Sequence, residues 1–429
     1  MKVMVVGAGL AGAAAAHRLN RFGHEVLLVD RKERVGGRAW THREQGFSID
    51  VGADVILSFY ARTLRLLAEL GRTGHLVRLD SSGAMHDGRR LHAMRPASPI
   101  GILTHPHLRM PDMARLGLAA ARARLEPGFD LFDLEALAAA DDGETIAEWA
   151  RRTVGERGYQ QIIRPGIETR WYYSCEEAAA PLARALTRLA PRTRFYCLDP
   201  GMGELAGWLA AGAATTLASE VVALEPGEAG VTARTGDGGS HRLDGAIVAT
   251  DAGRAARIIP AGKAATALAA VRFARNVRVV IGYRRNPWPD PGAKAFFATG
   301  PGRHRVAAVT LVSGKSPARV PPGGEAAEVH FSGWASEEMD DDEAIATARS
   351  TVSNYLGPVR EEPLFELAYR CDPGLPIPVP GQYRSLLDAR ATLDPRIRLA
   401  GDHMSHATIE GAIRSGEEAA TEIESLPGR

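Results

Sequence analysis

The sequence predicts an α/β fold, and two stretches at opposite ends of the chain carry that prediction. Near the start an apolar strand (Val3, Met4, Val5, Val6) runs into Gly7-Ala8-Gly9-Leu10-Ala11-Gly12 and then an alanine-rich helix. Near the end a short strand over 397–400 stops on Gly401-Asp402, a loop crosses, and a helix follows over 409–423. Both stretches have the order strand, turn, helix. Each leaves free backbone amides of a helix N-terminus where an electron-rich ligand oxygen can meet them.

The first unit is a pocket for a dinucleotide. Gly7 permits the tight turn, Gly9 lets the backbone approach a pyrophosphate, and Gly12 allows close packing of helix on strand. The helix dipole attracts the phosphates without a basic side chain. A second apolar run, 26–29, ends on Asp30, whose carboxylate suits a ribose hydroxyl and repels a 2′-phosphate, which disfavours NADP. Gly36-Gly37-Arg38 completes the unit. Beyond it, 46–55 alternates like a strand and 60–70 reads as an amphipathic helix.

The middle of the chain changes character twice. From about 107 to 190 helical patterns dominate, at 145–154 and 176–189 for example, with Pro165, Gly166 and the cluster Trp171-Tyr172-Tyr173 between them. This predicts a helical insertion. Strands are expected at 219–224 and 230–234, and the apolar run 246–250 suits a strand buried on both faces. The stretches 277–284, 306–312, 327–334 and 364–369 have a period near two and predict a second sheet. The prolines of 373–380 form a connector, and no fixed repeat period suggests a solenoid or propeller.

Composition narrows the function. In 429 residues the formal net charge is +1, which gives no electrostatic case for a nucleic-acid partner. The acids Glu337, Glu338, Asp340, Asp341, Asp342 and Glu343 are expected to open a helix. Three widely spaced cysteines (Cys175, Cys197, Cys371) form neither a disulfide framework nor a metal-ligand spacing, so no metal site is expected and the compartment reads as reducing. With a core strand at the start and no apolar run near the ~20 residues that span a bilayer, the expected location is cytoplasmic, with peripheral membrane contact left open.

Four segments together resemble the superfamily of flavin-containing amine oxidases, protoporphyrinogen oxidases and phytoene desaturases. They are GAGLAG, VDRKERVGGRAWT, GFSIDVGADVI and the closing LAGDHMSHATIEGAIRSGEEAA, with PGMGELAGWLA as a weaker echo between them. The resemblance implies a Rossmann-like FAD-binding domain of three-layer ββα architecture over 1–75, 200–265 and 385–429. It also implies a discontinuous α+β substrate domain with a mixed sheet and the helical insertion, over 76–199 and 266–384. Carried over by position, it implies FAD contacts from Gly7, Gly9, Leu10, Ala11 and Gly12, from Asp30 and Arg31, and from Gly36, Gly37 and Arg38. Gly52, Ala53, Asp54 and Val221 join them, as do Gly401, Asp402, Ile409 and Ala412. The flavin is expected to be noncovalent, with Cys371 a packed cysteine.

The resemblance also implies the chemistry, removal of hydride from a small apolar or amine-bearing metabolite to make C=C or C=N, in bacterial biosynthesis. A porphyrinogen, a squalene or carotenoid precursor and an amine all stay open as substrates. With no second glycine-rich nucleotide motif and no CxxC pair, O2 or a quinone is the expected acceptor. Two departures weaken a standard amine oxidase: Arg278 stands at the position of the family's lysine, and Thr408 at that of an aromatic residue. His403 and His406 are candidates to handle a proton or to bond backbone. Arg278 is a candidate for a substrate carboxylate or an outward-facing strand residue. Trp40, Trp171, Tyr172 and Tyr173 are candidates for the substrate wall or for core packing. Two other classes remain, a redox-neutral flavin-dependent cyclase or isomerase and a non-enzymatic binder like the guanine-nucleotide dissociation inhibitors, and the sequence sets no oligomeric state.

Overall fold

The structure, a computed structural model, describes residues 1–79, 83–87, 91–94, 99–190, 193–289, 291–298 and 304–426. Strands are numbered in chain order among these residues. A five-stranded parallel sheet runs β10 (Ala214–Thr216), β2 (Glu25–Val29), β1 (Lys2–Val6), β14 (Gly245–Val248), β20 (Ile397–Leu399). Val3, Met4 and Val5 at its centre are fully buried, as expected for a parallel sheet covered on both faces. The helix Leu10–Arg21 lies on the sheet through Ala13 to Ala16, all buried. Those small side chains let the last helix, Ile409–Glu424, come close: a methyl on Gly416 would sit 2.0 Å from the Ala11 carbonyl oxygen. An antiparallel ladder, β11 (Val221–Gly227), β12 (Gly230–Thr235) and β13 (Ser240–Leu243), packs on β1 and β14 as the third layer.

The second sheet has the order β19 (Phe365–Cys371), β15 (Asn276–Tyr283), β18 (Glu325–Phe331), β17 (Val306–Leu311), β16 (Ala295–Ala298), β7 (Gly83–His86), β8 (Leu91–Met94). It is mixed because β16 and β7 are parallel and the other pairs antiparallel. The four long strands are those the period of two predicts. β7, β8 and β16, four residues each, escape the sequence because they carry no β-branched residue. Two small elements join the sheets: the ribbon β3 (Thr41–Glu44) with β4 (Phe47–Asp50), and β5 (Ile56–Leu57) with β9 (Phe195–Leu198) and β6 (Leu76–Arg78).

The insertion is helical, including Met110–Leu125, Leu134–Ala140 and Ile146–Gly158, the last opened by a reciprocal cap between Thr145 and Glu148. One π turn, Tyr159–Ile163, feeds directly into the helix Arg164–Trp171. The helix expected from 176 begins only at Pro181, where a missing N–H is no loss. The acidic run also divides. Asp340 caps the helix Asp341–Leu356 by accepting from the Glu343 amide, whereas Glu337 and Glu338 end the short helix Gly333–Glu338. Among the described residues no helix is long and apolar enough to cross a membrane.

Candidate active site

One cavity of about 890 Å³ runs from the C-terminal ends of β1 and β2 to the face of the second sheet. At its first end the wall is mostly backbone. Gly9 opens the helix Leu10–Arg21 without a side-chain cap and with no acid in the first turn, so the leading amides are free to meet an anion. A methyl on Gly9 would meet nothing within 4 Å, because it would point into the cavity. Gly37, at φ +56°, brings the second glycine loop so close that its methyl would lie 3.1 Å from the Gly9 Cα. That cradle fits a pyrophosphate.

Asp30 sits beside it with one carboxylate oxygen accepting from the Ala8 amide at 2.6 Å and the other from the Lys32 amide at 2.8 Å. Each oxygen keeps a lone pair for a ribose hydroxyl. Arg38 donates to Asp402 Oδ1 at 2.7 Å and to the Gly374 carbonyl at 2.6 Å, which ties the first nucleotide loop to the last. The final helix is capped by Thr408, whose hydroxyl takes the Gly411 amide at 3.0 Å and leaves the Ile409 end facing the cavity.

At the far end the wall is made of side chains from distant strands. Lys315, which ends a short 3-10 turn after β17, lies 2.8 Å from Asp54 Oδ2 and 2.5 Å from Glu328 Oε2. Glu328 also accepts from the Thr310 hydroxyl at 2.9 Å, and His330 stands 3.3 Å from that hydroxyl and 3.1 Å from the Tyr172 hydroxyl. Tyr172 holds a left-handed conformation at φ +60°, a strained position for a tyrosine, and its hydroxyl meets His330. Arg278 approaches Asp54 at 3.4 Å.

Electrostatics balance within this cluster. Burial alone would raise the Asp54 carboxyl, but Lys315 and Arg278 hold it down, at about 2. Glu328, opposed by burial in the same way, is held well below its ordinary value chiefly by Lys315, with His330 3.8 Å away. Burial, then Arg278, lowers His330, which stays a neutral imidazole. Two cations therefore face two carboxylates. The carboxylates and His330 bring ligand atoms within 4.8 Å of one another, yet the Lys315 ammonium already bridges both acids where a metal cation would sit.

Most residues singled out in the sequence line this cavity: Gly7, Gly9, Leu10, Ala11, Asp30, Arg31, Gly36, Gly37, Arg38, Gly52, Ala53, Asp54, Val221, Gly401, Asp402, Ile409 and Ala412, with Trp40, Trp171 and Tyr172. Five lie elsewhere. Gly12 lies behind the turn, where a methyl would fall 1.8 Å from the Gly7 carbonyl oxygen, so it packs the helix and does not face a phosphate. Tyr173 turns into the core. Arg278 is buried behind the wall, its guanidinium donating to the carbonyls of Asp50 and Gly52, so it is neither outward-facing nor free for a substrate carboxylate. His403 and His406 are buried beneath the final loop, and burial lowers them to about 4 and about 3. Both are neutral near pH 7, but unlike His330 neither lines the cavity.

The sequence reading missed Lys315, Thr310, Glu328 and His330. One signal was present: Glu328 and His330 alternate on one face of a strand whose other polar residue is Glu325, and His330 pairs directly with Arg278 on β15. Cys371, at the cavity wall, directs its thiol toward the Val51 carbonyl at 3.6 Å.

Comparison with known proteins agrees with this geometry. Residues 10–424 match the profile of the flavin containing amine oxidoreductases. A coproporphyrinogen III oxidase of Mycobacterium leprae is 26% identical over 97% of this chain and 96% of its own length. In fold, the chain is similar to cyclohexylamine oxidase from Brevibacterium oxydans, with a TM-score of 0.80 at 19% identity over 99% of each chain. Putrescine oxidase bound to putrescine gives a TM-score of 0.79 at 18% identity, again over 99% of each. The glycine cradle, the ribose carboxylate and a profile match spanning both ends of the chain lead to one conclusion: this protein belongs to the flavin-containing amine oxidoreductase family and is an FAD-dependent oxidoreductase.

Proposed function

We propose that the protein removes a hydride from a small, largely apolar metabolite to form a C=C or C=N bond, and that O2 or a quinone takes the electrons. The observation that carries this reading is the single cavity joining a dinucleotide cradle to an aromatic wall on the second sheet. Bound FAD supplies the two-electron acceptor. Gly9, Gly37 and the free amides at Leu10 and Ala11 hold the pyrophosphate, Asp30 the adenosine ribose, and Val221 the adenine. Arg38 and Asp402, already paired, would tie together the loops that flank the bound cofactor. The Ile409 end of the last helix would offer positive potential to a flavin held there. Noncovalent binding is supported by the Cys371 thiol, which is directed at the Val51 carbonyl. In this reading the nucleotide domain is 1–75, 200–265 and 385–429, and the substrate domain 76–199 and 266–384.

Trp40, Trp171, Tyr172 and Tyr369 line the substrate end together with Phe195 and Phe297, and exclude water from the reacting carbon. The Trp171 indole donates to the Ala407 carbonyl at 2.9 Å, so the insertion that closes the cavity is fastened to the loop beside the flavin. The neutral His330, bonded to Tyr172 and Thr310, is the group placed to accept a proton at this wall. Anaerobic mixing with porphyrinogens, polyene precursors, amines and amino acids tests the reading. At least one class is expected to bleach the flavin and give a product two mass units lighter, or, for an amine, the carbonyl compound formed when that imine hydrolyses; turnover without bleaching would replace hydride removal by a redox-neutral reaction.

A further inference from the structure

Several cations that line the cavity are matched by an acid. Lys315 faces Asp54 and Glu328, Arg38 faces Asp402 at 2.7 Å, Lys294 faces Glu325 at 3.7 Å, and Arg370 faces Asp341 at 2.6 Å. Arg170 is different. It stands on the helix Arg164–Trp171, which packs against β16 and β17, and its side chain lines the cavity. Its guanidinium rests 4.8 Å from the centre of the Phe195 ring, and among the described residues it has no hydrogen bond and no ion pair.

Neighbouring groups cannot neutralise it. Asp54, the carboxylate that acts on it, is already held by Lys315 and Arg278. The Tyr60 phenol is raised by burial and stays protonated. Desolvation pulls Arg170 itself downward, yet an arginine keeps its charge under any ordinary shift. A desolvated, uncompensated cation facing an apolar space is costly unless an anion arrives. A guanidinium favours a planar two-oxygen partner.

We propose that Arg170 anchors a carboxylate of the substrate, so that the metabolite oxidised here is an organic acid whose apolar body lies along Trp171, Tyr172 and Phe297. The assignment rests on the hydride-removal reading above and names its substrate class. Arg170 holds the acid end, and the aromatic wall orients the remainder toward the flavin. The same charge repels a simple ammonium substrate, in keeping with Thr408 standing where amine oxidases carry an aromatic residue. An amino acid remains acceptable, because its own carboxylate reaches the arginine first.

The experiment uses flavin-loaded protein and four probes: phenylacetate, indole-3-acetate and the two corresponding amides, each read by its perturbation of the visible flavin spectrum. The acids are expected to bind at least about 30-fold more tightly than the amides. Arg170→Gln should erase that difference at unchanged flavin content, and Arg170→Lys should restore part of it. Equal binding of acids and amides, failure of both acids to bind, or acid preference that persists in Arg170→Gln would overturn the assignment. The flavin's affinity for sulfite separates a second source of negative charge. If Arg170→Gln weakens the sulfite adduct while acid binding stands, the arginine serves the reduced flavin and the proposal falls. Arg170-dependent acid binding without bleaching by any acid would retain the anchor and remove the hydride reading. Rapid bleaching of Arg170→Gln by a neutral or ammonium compound would do the reverse.

Discussion

The two ends of the cavity solve the problem of polar chemistry in opposite ways. The nucleotide end is made of main chain: glycines, free amides and one carboxylate held by two amides. The substrate end is made of side chains, with Lys315, Asp54, Glu328 and Arg278 drawn from four separated segments and balanced against each other. A backbone site is rigid and stereotyped because it needs only small residues in a fixed local order. A side-chain site gets its geometry from the fold, and each member depends on the others staying charged.

The sharpest way to break this contrast is at the glycines. Gly12→Val drives a branched side chain into the Gly7 carbonyl, which a methyl alone would approach to 1.8 Å. No folded, flavin-loaded protein is expected, a loss above about 4 kcal/mol in a thermal or denaturant melt. Gly9→Ala points into open space, and there the apoprotein should melt as the parent does while flavin affinity falls. If the two variants behaved alike, the separation of packing glycine from binding glycine would be wrong.

Next in size is the charge cluster. Lys315→Met leaves two buried carboxylates facing each other and should destabilise by about 3–5 kcal/mol in urea unfolding. Adding Glu328→Gln should recover a good part of that loss, because the second variant removes the charge the first one stranded. A strictly additive pair would mean that Lys315 and Glu328 are not coupled, whatever their distance.

A smaller effect separates the ends by pH. His406 is lowered in the folded protein to about 3, whereas an unfolded histidine titrates near 6.5. Its contribution to stability is complete above about pH 6.5 and declines as the pH falls toward the folded value, because the unfolded chain takes up the proton first. Between pH 7 and pH 5 the His406 share is about 2 kcal/mol. His406→Asn should flatten that part of the stability curve by comparable chemical denaturation at each pH. An unchanged slope would show that the imidazole is wetter than its place beneath the final loop indicates.

The same contrast explains what was legible in the sequence. Gly7 to Gly12, Asp30 and Gly401-Asp402 are local, so their order along the chain is their function, and they line the cavity with the exception of Ala8 and Gly12. Long strands with a period of two could also be read. Lys315 could not, because it follows a 3-10 turn and meets Asp54, 261 residues away in sequence, only through the fold. Arg278 shows the reverse error. Its position in the strand was visible, but that its guanidinium would be occupied by the Asp50 and Gly52 carbonyls was not. Arg170, beside the conspicuous Trp171-Tyr172-Tyr173, gave no sign in the sequence that its partners were missing.

The π turn at Tyr159–Ile163 has a consequence for how such a cavity changes over generations. It carries one residue more than a regular helical turn, and it lies immediately ahead of the helix that presents Arg170 and Trp171. The wider turn takes up that residue locally, so losing one codon there would restore a regular helix and leave Arg170 and Trp171 on the same face. A deletion beyond the turn has no such slack and would rotate the side chains after it by roughly 100°. Changes of length in this segment are therefore absorbed ahead of the wall residues, with the glycine cradle untouched.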